Sequence, residues 1–422
     1  RLLEKSLDQR PRRDACAQGP PAHLLKQGHL HTGSPNAIER QREEDAVVYL
    51  ERPRDGRGVG RVFHDAKWDG GRSIADLLKV HFNAGACSIQ APRKFATMEY
   101  RRLGKSGLQL TELSFGSWIT FGNQIDDSTS GRLLDMAYDA GINFFDNAEV
   151  YAAGRSEEVM GKIISEAAWN RDSFLVSSKV FWGGDGPNQL GLSRKRVVEA
   201  CHAALKRLRV DYLDFYFCHR PDKNTPMEET VWAMHNLIQQ GKVLYWGTSE
   251  WSAQEVQEAM MVARENHLIG PSMEQPQYNM FVRNKVEVEF NKLFRDYGYG
   301  STIWSPLASG ILTGKYNNGV PEGSRLTMDD LTWLREKVLT EQNIHKVIAL
   351  QKIADDLTTS VANLAMAWCL KNEHVSTVIT GSTKLSQLQE NLKSMDVVEK
   401  IDTSVMEAIE AVLDNKPEMP QY

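Results

Sequence analysis

Eight short, almost wholly apolar runs recur along the chain, at residues 113–118, 142–146, 174–180, 212–219, 243–249, 273–277, 302–306 and 377–381. Each has the length of a strand, and the stretches between them are long enough for helices. Between the third and fourth runs, Val197, Val198, Cys201, Ala204, Leu205 and Leu208 recur at helical spacing, while Lys195, Glu199, Lys206 and Arg207 face the other way. Strands that are apolar throughout, rather than alternately, belong to parallel sheets covered by helices. Eight such repeats in about 290 residues match an α/β fold of the (β/α)8 barrel type, usually of roughly 250 residues. The longest gap precedes the last run and holds extra helical stretches at 328–338 and 344–357. An open doubly wound sheet is the alternative, but no G-x-G-x-x-G follows the first run. Ahead of that run, two short alternating pieces flank Gly104-Lys-Ser-Gly107 and predict a small hairpin. It is not a phosphate loop, because no glycine stands five residues before Gly104.

The barrel pattern begins only near Met98. Residues 1–97 carry 17 Lys and Arg against 12 Asp and Glu, the remainder 33 against 43, and all 14 methionines lie at or after Met98. Residues 1–97 show no sustained period, and their acids count against an organelle transit peptide. They are expected to be a disordered extension, or sequence upstream of a true start at Met98, with the barrel domain over 98–418. For the whole chain, 41% hydrophobic and 25% charged residues suit a globular enzyme. Without an apolar run of 18 residues, no direct membrane insertion is expected. A net charge of -5 and a pI of about 6.2 argue against nucleic acid as partner. Five cysteines without a C-x-x-C pair suit a reducing cytoplasm. Cys218 reads as a packed strand thiol, and Cys201 and Cys369 as helix core.

In a (β/α)8 barrel, chemistry sits where the strands end. Asp146 closes the second run, with Tyr151 five residues on; Lys179 closes the third and His219 the fourth. Taken singly, each has a structural explanation: a lysine that snorkels, an aspartate that caps a loop, a packed tyrosine, a core histidine. On successive strand ends, beside Trp118, Trp182 and Trp304, they form a constellation able to protonate a carbonyl. Free tyrosine has a pKa of roughly 10, and an adjacent ammonium is expected to lower it. Asp146 would hold Lys179 charged, and His219 would donate to the carbonyl oxygen or steer it. No metal is expected, since the six histidines from Met98 onward show no zinc-like cluster and H-E-x-x-H is absent.

These residues resemble the aldo-keto reductase superfamily and, within it, the branch of voltage-gated potassium channel β subunits. The resemblance is carried by Thr120-Phe-Gly-Asn-Gln124, residues 146–155, Lys179-Val-Phe-Trp-Gly-Gly184, His219-Arg-Pro-Asp222, Asn224-Thr-Pro-Met-Glu-Glu-Thr230, Trp246-Gly-Thr-Ser-Glu-Trp-Ser252, Trp304-Ser-Pro-Leu-Ala-Ser-Gly310 and Ala367-Trp-Cys-Leu370. It spans about residues 98 to 416. It implies a barrel that binds NADPH or NADP+, with Asp146, Tyr151, Lys179 and His219 as catalytic tetrad, and a homotetramer. It also implies cofactor contacts from Ser117, Trp118, Gln124 and Asp146. Ser249 and Gln275 would meet the nicotinamide carboxamide. Trp304, Ser305, Pro306, Leu307, Ala308 and Ser309 would run along the pyrophosphate. Lys315, Arg325 and Gln387 would line phosphates, and Glu390 and Asn391 the adenine. Gly381 and Thr383 precede a helix expected over 384–393, with Thr383 as its N-cap and the adenosine 2′-phosphate at its N–H groups.

Two positions depart from the animal channel subunits, which carry Asn where this chain has His219 and a basic residue where it has Glu250. The pair resembles plant and bacterial members instead; Glu250, still counted among the cofactor positions, would remove a phosphate partner. His219 would restore the fourth catalytic group and improve turnover. Trp118, Phe181 and Trp182 would form an aromatic pocket for a small apolar or aromatic carbonyl substrate. The expected function is NADPH-dependent reduction of aldehydes and ketones. The alternative is a cytoplasmic regulatory subunit, peripheral to the membrane through a potassium channel α subunit, with bound NADP(H) as redox sensor. A non-enzymatic sugar- or anion-binding barrel would leave the tetrad without a role.

Overall fold

A computed structural model describes residues 98–328 and 331–421. The segment 1–97, expected to be disordered or non-native, lies outside the described residues.

The chain opens with an antiparallel hairpin, β1 (Tyr100–Arg102) and β2 (Gln109–Thr111), paired Tyr100 to Thr111 and Arg102 to Gln109. Its turn needs Gly104, whose φ is +52° and whose added Cβ would stand 2.2 Å from the Gly298 carbonyl oxygen. Eight strands follow: β3 (Leu113–Gly116), β4 (Phe144–Asp146), β5 (Leu175–Val180), β6 (Leu213–Cys218), β7 (Val243–Thr248), β8 (Met273–Glu274), β9 (Gly300–Ile303) and β10 (Thr377–Thr380). They pair in parallel as a closed barrel, with β10 completing the ring between β9 and β3. The barrel thus holds over the open sheet. Seven strands fall within the expected runs; β9 begins two residues earlier than its run and ends before Trp304.

Helices cover the outside: α1 (Asp127–Asp139), α2 (Arg155–Glu166), α3 (Arg194–Leu208), α4 (Met227–Gln239), α5 (Ala253–Glu265) and α6 (Asn291–Tyr297). After β9 come α7 (Thr332–Val338), α8 (Glu341–Asp356) and α9 (Val361–Leu370), and after β10 come α10 (Leu385–Leu392), α11 (Met395–Val398) and α12 (Thr403–Leu413). Their starts carry local caps. Asp126 accepts from the Thr129 N–H, Ser193 from Arg196, and Ser252 forms a capping box with Glu255. Every residue of α9 is buried, which explains its all-round apolar sequence.

Side-chain alternation then decides what the barrel encloses. Phe145, Val176, Val180, Tyr216 and Cys218 pack outward in the main core with the helices. Phe144, Leu175, Phe215, Phe217 and Met273 point the other way and share a second cluster with Leu103 and Leu110 of the hairpin. The hairpin therefore plugs the barrel at its N-terminal end, where Lys105 N–H bonds the Gly298 carbonyl and Thr111 N–H bonds Asn143 Oδ1. The same parity carries Asp146, Lys179 and His219 inward at the opposite end.

Candidate active site

Asp146 is the last residue of β4, Lys179 the penultimate residue of β5, and His219 follows the end of β6. All three are buried, Lys179 completely. Lys179 Nζ donates to Asp146 Oδ2 at 2.7 Å, to the Asn147 carbonyl at 2.9 Å and to Tyr151 Oη at 3.0 Å. Those three bonds use the three ammonium hydrogens. Asp146 Oδ1 in turn accepts from Ser177 Oγ at 2.8 Å and from Gln275 Nε2 at 3.0 Å.

Tyr151 reaches Lys179 from a turn of unusual backbone. It opens the 3-10 segment Tyr151–Gly154, in which Ala152, Ala153 and Gly154 have φ of 49°, 51° and 90°. Left-handed alanines cost on the order of 1 kcal/mol each. The turn is anchored below by Arg207, which lies against Gly154 and donates to the buried Glu157 at 2.6 Å. The Tyr151 ring is half-buried, and its hydroxyl meets the interior ammonium.

The electrostatics depart from the simple expectation. Burial pushes the Tyr151 phenol above its ordinary range; Lys179 pulls it down and Asp146 pushes it up, with a net upward result. The expected net lowering by the adjacent amine is therefore corrected: desolvation outweighs it, and the phenol stays protonated. Burial also works to lower Lys179, but Asp146 and Tyr151 outweigh it and hold the ammonium above the usual lysine value. Burial, aided by Lys179 and Arg220, holds His219 well below the usual histidine value, so the imidazole is neutral. Its Nδ1 is buried and finds no partner among the described residues. The rings of Tyr151 and His219 stand 5.9 Å apart, and Trp182 packs 5.1 Å from His219.

Of the aromatics expected to wall a substrate pocket, Trp182 is the one that packs on His219. Phe181 and Trp182 meet edge to face at 4.9 Å, and Trp118 meets Trp304 at 6.3 Å. Several expected cofactor positions brace the site. Ser117 Oγ donates to the Asp146 carbonyl, Ser249 Oγ to the Gln275 carbonyl, and the Gln275 amide to Asp146. Glu250, at φ 60°, accepts from the Gln277 N–H at 2.6 Å and Trp304 Nε1 at 3.0 Å, and pairs with Lys285 at 3.2 Å. Its carboxylate ties the ends of β7, β8 and β9 together.

Beyond Trp304, the strap crosses the strand ends with left-handed backbone at Ser305, Ala308, Ser309 and Gly310, over a buried Pro306 and a half-buried Leu307. Lys315 is exposed, and its ammonium lies 4.9 Å from the centre of the Tyr316 ring. Gln124 donates to Met328 Sδ, away from the tetrad. Arg325 opens the turn Arg325–Thr327, but its side chain lies outside the described residues.

The helix after β10 starts one residue later than expected, with Lys384 rather than Thr383 at the cap position. The reason is Gln387, whose side-chain oxygen accepts from the N–H groups of Thr383 and Lys384 and from the Thr383 hydroxyl. Gly381 lies at the exposed mouth beside this helix start. Asn391 Nδ2 reaches Ser382 Oγ at 3.4 Å. Glu390 accepts from Ser360 and Asn363, which share with Lys393 a groove of about 500 Å³. The exposed Lys315 and the start of α10 are each of a kind that suits a phosphate group.

Ser177, Asn147 and Arg220 were not singled out in the sequence. Ser177 could have been, since it stands two residues before Lys179 on the same strand face. Among the described cysteines, burial pushes Cys201 up to about 12 and Cys218 and Cys369 upward as well, which leaves them inert core thiols. Among the described residues, no helix is long and apolar enough to cross a membrane.

A family model described as "Aldo/keto reductase family" matches residues 112–414. A protein of Arabidopsis thaliana named "Probable voltage-gated potassium channel subunit beta" is 52% identical over 325 residues, covering 77% of this chain and 99% of the relative. A protein of the same name from Oryza sativa subsp. japonica is 52% identical over 321 residues, covering 76% and 98%.

Proposed function

The chain belongs to the aldo/keto reductase family, and from that premise we propose that it reduces aldehydes and ketones with NADPH, with Tyr151 as proton donor. The observation that carries the reading is the 3.0 Å bond from Lys179 to the phenol oxygen. Because the phenol accepts there, its own hydrogen is left for a carbonyl oxygen. Bound NADPH supplies the hydride that the carbonyl carbon receives. Tyr151 gives its proton to the oxygen, and Lys179 stabilises the phenolate left behind. Asp146 and the Asn147 carbonyl fix the ammonium for that role. Neutral His219 carries one N–H, which would be presented to the carbonyl oxygen from Nε2, since Nδ1 is sealed from solvent. Phe181, Trp182 and Trp118 offer apolar walls to the rest of the substrate.

Among the cofactor residues, Trp304, Ser305 and Ser309 would lie along the dinucleotide, with Lys315 and the start of α10 toward its phosphates and Glu390 and Asn391 toward adenine. The test is NADPH oxidation with 4-nitrobenzaldehyde, together with NADPH and NADH titrations followed by tryptophan fluorescence. Substrate-dependent oxidation and tighter NADPH binding are expected. A protein that binds NADPH but reduces no aldehyde would overturn the reading, and equal affinities would overturn the 2′-phosphate assignment.

A second reading rests on the relatives, both named as probable channel β subunits. On it, a homotetramer sits in the cytoplasm against a potassium channel α subunit, and the same bound nucleotide reports redox state. Co-purification with the cytoplasmic domain of such a channel supports it; a monomer at micromolar concentration argues against it.

A further inference from the structure

Arg220 carries a charge that the proton-transfer chemistry does not consume. Its Nη1 donates to the His219 carbonyl at 2.6 Å, and its guanidinium carbon lies 5.2 Å from the centre of the Trp182 ring. Trp182 itself packs against the His219 imidazole and is partly open to solvent. The cation therefore stands beside the wall of the aromatic pocket, next to the groups that would meet the carbonyl.

No carboxylate pairs with Arg220 among the described residues. Two acids of neighbouring loops, Glu149 and Asp222, are already taken. Glu149 is paired with Arg196 and accepts from the Phe181 N–H. Asp222 accepts from the Leu192 and Asn224 N–H groups and the Thr225 hydroxyl. Those Asp222 bonds, with His219 N–H bonded to the Val180 carbonyl at 3.0 Å, pin the backbone on both sides of Arg220. The guanidinium is thus held in place with one N–H engaged and others left for an acceptor from outside the chain. A planar, permanently charged fork of this kind matches a carboxylate.

The geometry points to Arg220 as a specificity-determining residue that selects carbonyl substrates bearing a carboxylate. Phe181 and Trp182 would hold the aromatic body while the guanidinium takes the acid group. This deepens the reductase reading and rests on it, since selection presupposes turnover.

The test compares kcat/KM for 4-carboxybenzaldehyde with that for methyl 4-formylbenzoate, which has similar shape without the charge. The protein as it stands should favour the acid about tenfold. Arg220→Gln should bring the ratio near one, mainly through KM for the acid. A ratio near one in the unaltered protein, or a preference that survives Arg220→Gln, would overturn the inference and leave the reductase reading intact. If neither aldehyde is reduced, the reductase reading fails and takes the inference with it. Should Arg220→Gln not fold, inhibition of the unaltered protein decides: 4-methylbenzoate must inhibit about tenfold better than its methyl ester, and equal inhibition contradicts the inference.

Discussion

The Lys179 ammonium donates to the Tyr151 phenol oxygen across 3.0 Å while donating to Asp146 across 2.7 Å. Lys179 thus joins a buried ion pair to the group that would give up a proton. Removing its charge leaves Asp146 buried and unpaired. Lys179→Met should lower stability by about 3–5 kcal/mol, as for other broken buried pairs. Urea unfolding measures this, and a loss below about 1 kcal/mol would mean that water replaces the ammonium without cost.

His219 supplies a prediction in pH. Burial and two nearby cations keep the imidazole neutral well below pH 6.5. The unfolded chain takes up that proton near pH 6.5 and the folded one does not, so stability is lost as pH falls below that value. His219→Ala should flatten this acid-side loss and lower kcat by about a hundredfold. Between pH 6 and 8, kcat/KM should show no imidazole limb; an inflection near 6.5 that vanishes in His219→Ala would contradict a neutral, buried donor.

Glu274 gives the opposite sign. It is fully buried at the end of β8, where it accepts from the Thr248 hydroxyl and from the Trp251 N–H at 3.1 Å. Burial, with Glu250 adding to it, pushes its carboxyl up to about 8. The unfolded chain loses the proton near the ordinary value of 4.5 while the folded chain keeps it. Stability therefore falls as pH rises from about 4.5 toward 8, by roughly 4 kcal/mol. Glu274→Gln should remove that slope. Melting temperatures across this range check it, and parallel curves for the two proteins would refute it.

The barrel was legible because parallel strands buried on both faces read as unbroken apolar runs, and because Asp146, Lys179 and His219 fall at their ends with one parity. The ninth strand was displaced because it opens on small or polar residues, Gly300-Ser-Thr302, whereas the bulkier Trp304 and Pro306 lie in the strap. The helix start after β10 was missed by one residue because Gln387 folds back on N–H groups that a capping threonine would otherwise bond. The direction of the Tyr151 shift was not legible either, since residue order names the neighbouring ammonium but not the depth of burial that outweighs it. Nor could order alone reveal that Glu250 is committed to Gln277, Trp304 and Lys285. Arg220 stood inside a quoted motif, and only its place over Trp182 gives it a role.

The central claim is that the Tyr151 phenol hydrogen goes to the substrate oxygen. A single-turnover reduction of 4-nitrobenzaldehyde by protein saturated with NADPH, comparing the unaltered chain with Tyr151→Phe, tests it most directly. The account predicts undiminished NADPH binding with a hydride-transfer rate lower by at least about a hundredfold. A Tyr151→Phe protein that reduces the aldehyde at the unaltered rate would contradict it.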